Sequence, residues 1–233
     1  MSSISKSSLS RLIKDVRDVI KHPLHDANIY YKHNETEMLS GYAMIVGPEN
    51  TPYHGGFYFF KFTYPTDYPY SPPEVIFSTR WDSIRFNPNL YTNGKVCVSI
   101  LNTWFGESWS SCDTLRTVLL QLGLLFTEIP LLNEPGITPS VLECTLYNTA
   151  IEYHNIDVAI CNTLLKTPGF YLPFFDLFWE VIRETFIKYR SSLIEKVNAK
   201  RGGPLFVRIP FYEMASLIDY NKLLIKIENI NII

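Results

Sequence analysis

An α+β fold is predicted by a double change of hydrophobic period: helical at the start, strand-like between Ile29 and Thr79, and helical again beyond Ser110. Ser5 to Ile20 places Leu9, Leu12, Ile13, Val16, Val19 and Ile20 at helical spacing, with Lys6, Arg11, Lys14 and Arg17 on the remaining surface. Four short aromatic or β-branched runs follow: Ile29–Lys32, Tyr42–Val46, Gly56–Thr63 and Val75–Thr79. Gly47-Pro48, Gly55-Gly56 and a proline-dense stretch divide them, which predicts a four-stranded antiparallel meander.

The stretch Tyr64 to Pro73 contains Pro65, Pro69, Pro72 and Pro73, too many for a strand interior or a helix. It matches a PxxP ligand pattern, but strands bracket it so closely that an ordered inter-strand loop is the better reading. Farther on, Leu115, Val118, Leu119, Leu122, Leu125 and Phe126 line one helical face that ends before Pro130. Thr138-Pro139-Ser140 reads as a helix start with Pro in the first turn, opening a run to about Leu165. Pro168-Gly169 breaks that run, Phe174 to Ala199 forms another helix, and Gly202-Gly203-Pro204 stops it. A last helix is expected from Tyr212 to Ile227.

Composition bounds the function. The 233 residues are 46% apolar and 19% charged, with a formal net charge of −2. That excludes extensive disorder, and it leaves no broad basic footprint for nucleic acid. No stretch approaches the roughly 18 uninterrupted apolar residues of a membrane helix, and the Ser-rich first ten residues do not suggest a signal peptide. A soluble protein of the cytoplasm, with the nucleus as a second compartment, is expected. The four cysteines, Cys97, Cys112, Cys144 and Cys161, are spaced by 15, 32 and 17 residues. With no Cys-x-x-Cys pair and no histidine pair at ligand spacing, neither a zinc site nor a disulfide scaffold is expected.

The informative segment is Arg85 to Leu101, RFNPNLYTNGKVCVSIL. Asn87-Pro88 imposes extended backbone, and Asn93-Gly94 predicts a two-residue hairpin turn with positive φ at both positions. Cys97 therefore lies just past a tight turn, and Asn89 lies on the other side of it. A thiol can carry an acyl group while a primary amide donates to a developing oxyanion. On these local features alone, a buried inert cysteine is the commoner reading.

The surroundings make the pattern specific. Pro52, Tyr53, Gly55-Gly56-Phe57, then YPTDYPYSPPEVIFST, FNPNLYTNGKVCVSIL, Trp109-Ser110 and NEPG form an ordered series. It resembles the ubiquitin-conjugating E2 family. The family usually has His-Pro-Asn where this chain has Asn87-Pro88-Asn89, and a shorter link from the cysteine to the next Trp. The NPN variant, the added Thr103-Trp104-Phe105-Gly106 and Asn133-Glu134-Pro135-Gly136 resemble the E2 Z branch, as do the downstream CTLYNTAIEYHNIDVAICNTLL and the helix from Phe174.

This resemblance implies the UBC fold over residues 5–160: an N-terminal helix, the meander and C-terminal helices. A helical extension over 161–233 packs on that core. It implies a glycyl thioester on Cys97, received from an E1 enzyme and passed to a substrate lysine, usually with an E3 ligase. Asn89 would stabilise the oxyanion or hold the neighbouring loop. Asn87 replaces a largely structural His. Glu134, where many members carry Asp, would activate the lysine, and Asn133 is the neighbouring candidate. The modifier is ubiquitin, with a ubiquitin-like protein as the alternative; a non-catalytic ubiquitin-binding variant is discounted because Cys97 is present. No bound cofactor or metal is implied, since ATP is consumed by the E1. Lys6, Arg11 and Lys14 resemble the E1-binding helix, and Tyr70, Trp109 and Ser111 the E3-facing loops, where Ser111 and Cys112 replace a common Pro-Ala pair. No membrane partner is implied. The aromatic cluster Phe170, Tyr171, Phe174, Phe175, Phe178 and Trp179 reads as core between extension and domain rather than as a docking face.

Overall fold

The first helix, α1 (Lys6–Lys21), starts where expected because Ser5 caps it, its hydroxyl accepting from the Ser8 amide at 3.1 Å. Residues 4–136 and 138–231 are described by a computed structural model of the chain; 232 and 233, the end of the expected extension, lie outside the described residues. Only part of the apolar stripe of α1 is buried: Leu12, Val16 and Val19 face the core, whereas Ile20 is exposed.

Strands β1 (Ile29–His33), β2 (Ser40–Val46), β3 (Phe57–Thr63) and β4 (Glu74–Phe77) pair in sequence order as an antiparallel meander. Phe57, Tyr58, Phe59, Phe60 and Phe62 of β3 are all fully buried, so this strand has protein on both faces. On one face Tyr58 packs on Phe126 at 4.7 Å and on Phe86 at 5.7 Å. On the other, Phe59 stacks on Phe175 of the C-terminal extension with ring centres 3.7 Å apart.

The proline-dense loop is ordered. Tyr64 and Tyr68 are buried, the Tyr68 hydroxyl donates to Asp15 Oδ2 at 2.6 Å, and Trp109 Nε1 donates to the Pro69 carbonyl at 2.7 Å. Those anchors fit an inter-strand loop and not a free PxxP ligand.

Helix α2 (Leu115–Gly123) opens on a Thr114–Thr117 capping box and buries Leu115, Val118, Leu119 and Leu122. Helix α3 (Val141–His154) opens on a Ser140–Glu143 capping box. Pro139 thus precedes the cap instead of occupying the first turn. α3 runs without interruption into a π-helical stretch, Asn155–Asn162, that is almost wholly buried. The boundary expected at 160/161 falls inside this stretch, so core and extension share one helical rod. Its side chains reach back into the sheet: Tyr58 Oη donates to Asn155 Oδ1 at 2.6 Å, and Asn155 Nδ2 to the His54 carbonyl at 2.9 Å. Gly56 makes that approach possible, because a Cβ there would collide with Asn155 Oδ1.

The extension continues through a 3₁₀ segment, Pro173–Phe178, into α4 (Trp179–Ala199). Phe170, Phe175 and Phe178 are buried, which places the aromatic cluster in the core. Beyond Pro204 the expectation of one last helix from Tyr212 is corrected. A hairpin, β5 (Leu205–Ile209) with β6 (Met214–Ile218), precedes α5 (Tyr220–Glu228). Its alternation is that of a half-covered strand pair: Val207, Ile209, Met214, Ser216 and Ile218 are buried, while Leu205, Phe206 and Leu217 are exposed. Helix α5 is held to the π-helical stretch by Lys226, which donates to Asp157 and, at 2.8 Å, to Asn162 Oδ1.

One contact gives this packing a pH dependence. His154 Nε2 shares a 2.7 Å hydrogen bond with Ser216 Oγ, joining α3 to β6. Burial lowers its pKa from 6.5 to about 4, helped by Lys226 and opposed by Asp157 and Asp82. Since the unfolded chain protonates first, stability carried by the neutral ring is complete above about pH 6.5 and is lost as pH falls toward 4. The limit is about 3 kcal/mol. Urea midpoints should therefore decline from pH 6.5 to 4.5, and less steeply in His154→Gln; an equal slope in the variant would assign the decline to other groups.

Candidate active site around Cys97

Between β4 and α2 the chain makes a compact set of turns and bridges. Asn87 pairs with Leu90, Leu90 with Val96, and Ile76 with Lys95. The turn at Asn93-Gly94 has a different form from the one expected. Gly94 N donates to Tyr91 O and Tyr91 N to Lys95 O, each at 2.9 Å, which closes a three-residue loop. Of its residues only Gly94 has positive φ, at 93°, so a type I turn followed by a left-handed glycine replaces the two-residue type I′ turn.

This turn delivers Cys97 against Asn89. The Cys97 amide donates to the Asn89 carbonyl at 2.8 Å, and Asn89 Nδ2 donates to the Cys97 carbonyl at 2.7 Å. The amide side chain and the cysteine are thus brought together as expected, but the Asn89 donor lies on the cysteine's backbone. Asn89 is held in turn: its N–H donates to Asn87 Oδ1 at 2.9 Å. Asn87 is fully buried, and its Nδ2 donates to Tyr53 Oη at 3.0 Å and to the Leu125 carbonyl at 2.8 Å. Asn133 Nδ2 donates to the same Leu125 carbonyl at 3.1 Å. Asn133 and Asn87 thus meet on one carbonyl at the end of α2.

The thiol is 3% exposed and donates to the Thr103 carbonyl at 3.1 Å. Thr103 is itself fixed, its hydroxyl donating to Val96 O at 2.8 Å and accepting from Val98 N at 3.0 Å. Burial raises the Cys97 pKa above the ordinary thiol value. Lys95 and Arg85 favour the thiolate, while Glu134 opposes it.

Glu134 follows a 3₁₀ turn, Pro130–Asn133, and its Oε2 accepts from Tyr212 Oη at 2.5 Å. Arg85 completes the arrangement. Its guanidinium lies 3.4 Å from the Tyr91 ring centre, and it donates to Asn87 O at 3.1 Å and to Pro88 O at 2.6 Å. Arg85, Tyr91, Thr103 and Tyr212 were not singled out from the sequence. Arg85 and Tyr91 flank the NPN turn, a local signal that could have pointed to them. Tyr212 is 78 positions from Glu134, so no local pattern announces their meeting.

The remaining predicted residues lie outside this cluster. Tyr70 is 75% exposed on the proline-dense loop, whereas Trp109 is buried beneath it. Ser111 is exposed, and its carbonyl accepts from Arg11 Nη1 at 2.7 Å. Arg11 also donates to the Asp113 carbonyl at 2.6 Å and pairs with Asp15 at 3.0 Å. It is a structural tie between α1 and the segment before α2, not a member of a free basic face. Lys6 and Lys14 stay at the surface beside Leu9 and Ile13.

A family model described as ubiquitin-conjugating enzyme matches residues 11–153. Among curated proteins, ubiquitin-conjugating enzyme E2 Z of Danio rerio is 32% identical over 97% of this chain and 68% of its own length. The Xenopus tropicalis protein of that name is 34% identical over 97% of this chain and 72% of its own length. The human one is 32% identical over 94% and 61%. The helix, four-stranded meander and following helices described above agree with the UBC arrangement, and the chain belongs to the ubiquitin-conjugating (E2) enzyme family.

Proposed function

We propose that this chain accepts ubiquitin from an E1 enzyme as a thioester on Cys97 and transfers it to a lysine of a protein substrate. One observation carries the reading: a thiol on a tight turn, clamped to Asn89 through both its backbone groups, with the Glu134 carboxylate close enough to act on its charge. The relatives' printed name, ubiquitin-conjugating enzyme, supports ubiquitin as the modifier.

The chemistry suits a thiol without a strong base. In loading, the Cys97 sulfur attacks the carbonyl of the E1-linked modifier; a C–S bond forms, the C–S bond to the E1 cysteine breaks, and the proton of the Cys97 thiol passes through solvent to the departing E1 sulfur. One thioester replaces another, so little driving force is needed. In transfer, a neutral lysine amine attacks that carbonyl, C–N forms, C–S breaks and Cys97 departs as thiolate. The excess amine proton goes to Glu134 or to water. A cysteine hydrolase would instead need an imidazole at the sulfur. The rings of His33, His54 and His154 lie against Tyr31, Tyr189 and Ser216, away from Cys97.

Asn89 serves here chiefly by holding the cysteine backbone, which fixes where the acyl carbonyl projects. Lys6 and Lys14 on α1 suit E1 docking, and Tyr70 suits an E3 contact, with Trp109 supporting that loop from beneath.

Mixing the chain with an E1, ATP and ubiquitin should give a reductant-sensitive adduct that disappears in Cys97→Ala. An adduct surviving that change would move the nucleophile, and an adduct with another modifier alone would replace the substrate. Asn89→Ala should slow discharge to lysine by about tenfold or more, with a smaller effect on loading; equal losses would assign Asn89 a folding role. Glu134→Gln should slow discharge most below the free lysine pKa of about 10.4, read as the ratio of parent to variant rates against pH. A flat ratio would remove Glu134 from proton transfer.

A further inference from the structure

The proposed lysine-activating carboxylate is held by a residue of the C-terminal extension, not of the catalytic core. Tyr212 Oη donates to Glu134 Oε2 at 2.5 Å. Among the described residues no cation pairs with Glu134, and Oε1 has no hydrogen-bond partner. The segment around Glu134 gives it little else. Pro135 and Gly136 beyond it are exposed, and only its own backbone N–H, donating to Leu131 O at 3.1 Å, ties it back.

Tyr212, by contrast, sits on a rigid mount. It ends the 3₁₀ corner Pro210–Tyr212 that links β5 to β6, directly before Glu213 at φ 52°. Its ring packs against Tyr147 of α3 at 5.8 Å, and the Arg85 guanidinium lies 5.1 Å from its centre. The same corner reaches the NPN turn by a second route. Met214 Sδ accepts from the Arg85 amide at 3.4 Å, and Tyr147 Oη donates to the Arg85 carbonyl at 2.7 Å. Arg85 in turn holds the Asn87 and Pro88 carbonyls. The hairpin corner thus contacts both the carboxylate, through Tyr212, and the brace of the cysteine turn, through Met214. Burial, and then the bond to Glu134, raise the Tyr212 pKa far above the phenol's ordinary value, so the hydroxyl remains a donor at every working pH.

We propose that Tyr212 is a positioning residue for transfer to lysine: its hydroxyl fixes the Glu134 carboxylate beside the thioester and leaves Oε1 to meet the incoming amine. The inference rests on the reading of Glu134 given under Proposed function. As the amine nitrogen bonds to the thioester carbon and the C–S bond breaks, the amine's proton moves to Oε1 while Oε2 keeps the phenol's hydrogen bond. A carboxylate with one oxygen anchored has fewer orientations to lose at the moment of transfer. The extension therefore serves lysine transfer and not thioester formation, which needs no carboxylate.

The full-length chain tests this with single-turnover discharge. Parent, Tyr212→Phe, Glu134→Gln and the double variant are each charged with ubiquitin by E1 and ATP, quenched, and mixed with free lysine between pH 6 and 9. Tyr212→Phe keeps the ring against Tyr147 and Arg85 and removes only the donor. It should load like the parent and discharge about tenfold more slowly, the usual cost of one hydrogen bond to a charged group. The double variant should discharge no more slowly than Glu134→Gln. Parent-like discharge by Tyr212→Phe beside a slow Glu134→Gln would overturn this inference and leave Glu134 in place. Parent-like discharge by Glu134→Gln would overturn the Glu134 reading and this inference with it, as would failure of the parent to charge. Equal losses of loading and discharge in Tyr212→Phe, or additive losses in the double variant, would make Tyr212 a structural residue.

Discussion

The molecule is organised around β3, whose five aromatic side chains are all buried and of which only Lys61 and Thr63 reach solvent. By alternation Phe57 and Phe59 share the face on which Phe175 sits, and Phe59 would lose that cover if the chain stopped after α3. Each buried aromatic ring contributes about 1.5–3 kcal/mol relative to exposure. The extension is thus required by the core's own sequence, not appended to a finished domain. Phe175 meets Phe59 ring on ring, Phe174 stacks on Tyr42 at 4.5 Å, and the continuous α3–π rod fixes the chain's route between the two layers. Once that route is set, the β5–β6 corner is carried to the cysteine turn, so a packing requirement on the far face of the sheet determines what stands beside Cys97.

The site itself is built mostly from neutral hydrogen bonds. Asn87, Asn89 and Asn133 satisfy the carbonyls of Cys97 and Leu125 and the hydroxyl of Tyr53, all within a region where unpaired polar groups would be costly. An amide suits such positions because it donates and accepts without a charge to desolvate. This also accounts for Asn87 in place of a His. Its Oδ1 accepts from Asn89 while its Nδ2 donates twice, a pattern that does not change with protonation near neutral pH. Charge enters through Arg85 and Lys95, which favour the thiolate, and through Glu134, which opposes it.

Much of this was legible in the sequence, because it depended on local rules. The first helix, the four strands and the helix after Ser110 follow from hydrophobic periodicity and turn residues. The approach of Asn89 to Cys97 followed from a tight turn eight residues wide. What was not legible depended on distant partners. Arg11 has the spacing of a surface cation on an amphipathic helix, yet its guanidinium closes on carbonyls about a hundred positions away. The β5–β6 hairpin was hidden because Pro210-Phe-Tyr-Glu carries no Asn-Gly or Gly-Gly signal; Glu213 itself takes the left-handed conformation that a glycine would advertise. With the hairpin unseen, Tyr212 reads as the start of a helix, and its meeting with Glu134 could not be anticipated.

The electrostatic balance at Cys97 fits an acyl carrier more than an enzyme that must activate its own substrate. A buried thiol bonded to the Thr103 carbonyl rests neutral, which limits adventitious oxidation and alkylation. The cations that favour the thiolate are weaker than the burial that opposes it. Such a sulfur reacts well only with a partner that is already activated and held in place, as a thioester delivered by another protein is. For the second step the requirement reverses: the sulfur must leave, and the amine must lose a proton. In the transfer proposed above, Arg85 and Lys95 would stabilise the departing thiolate and the Glu134 carboxylate would draw the proton away from the nitrogen. In that proposal the charges that oppose one another at the resting thiol act on different atoms during transfer, so one arrangement would keep the free sulfur quiet and still favour breakdown of its ester.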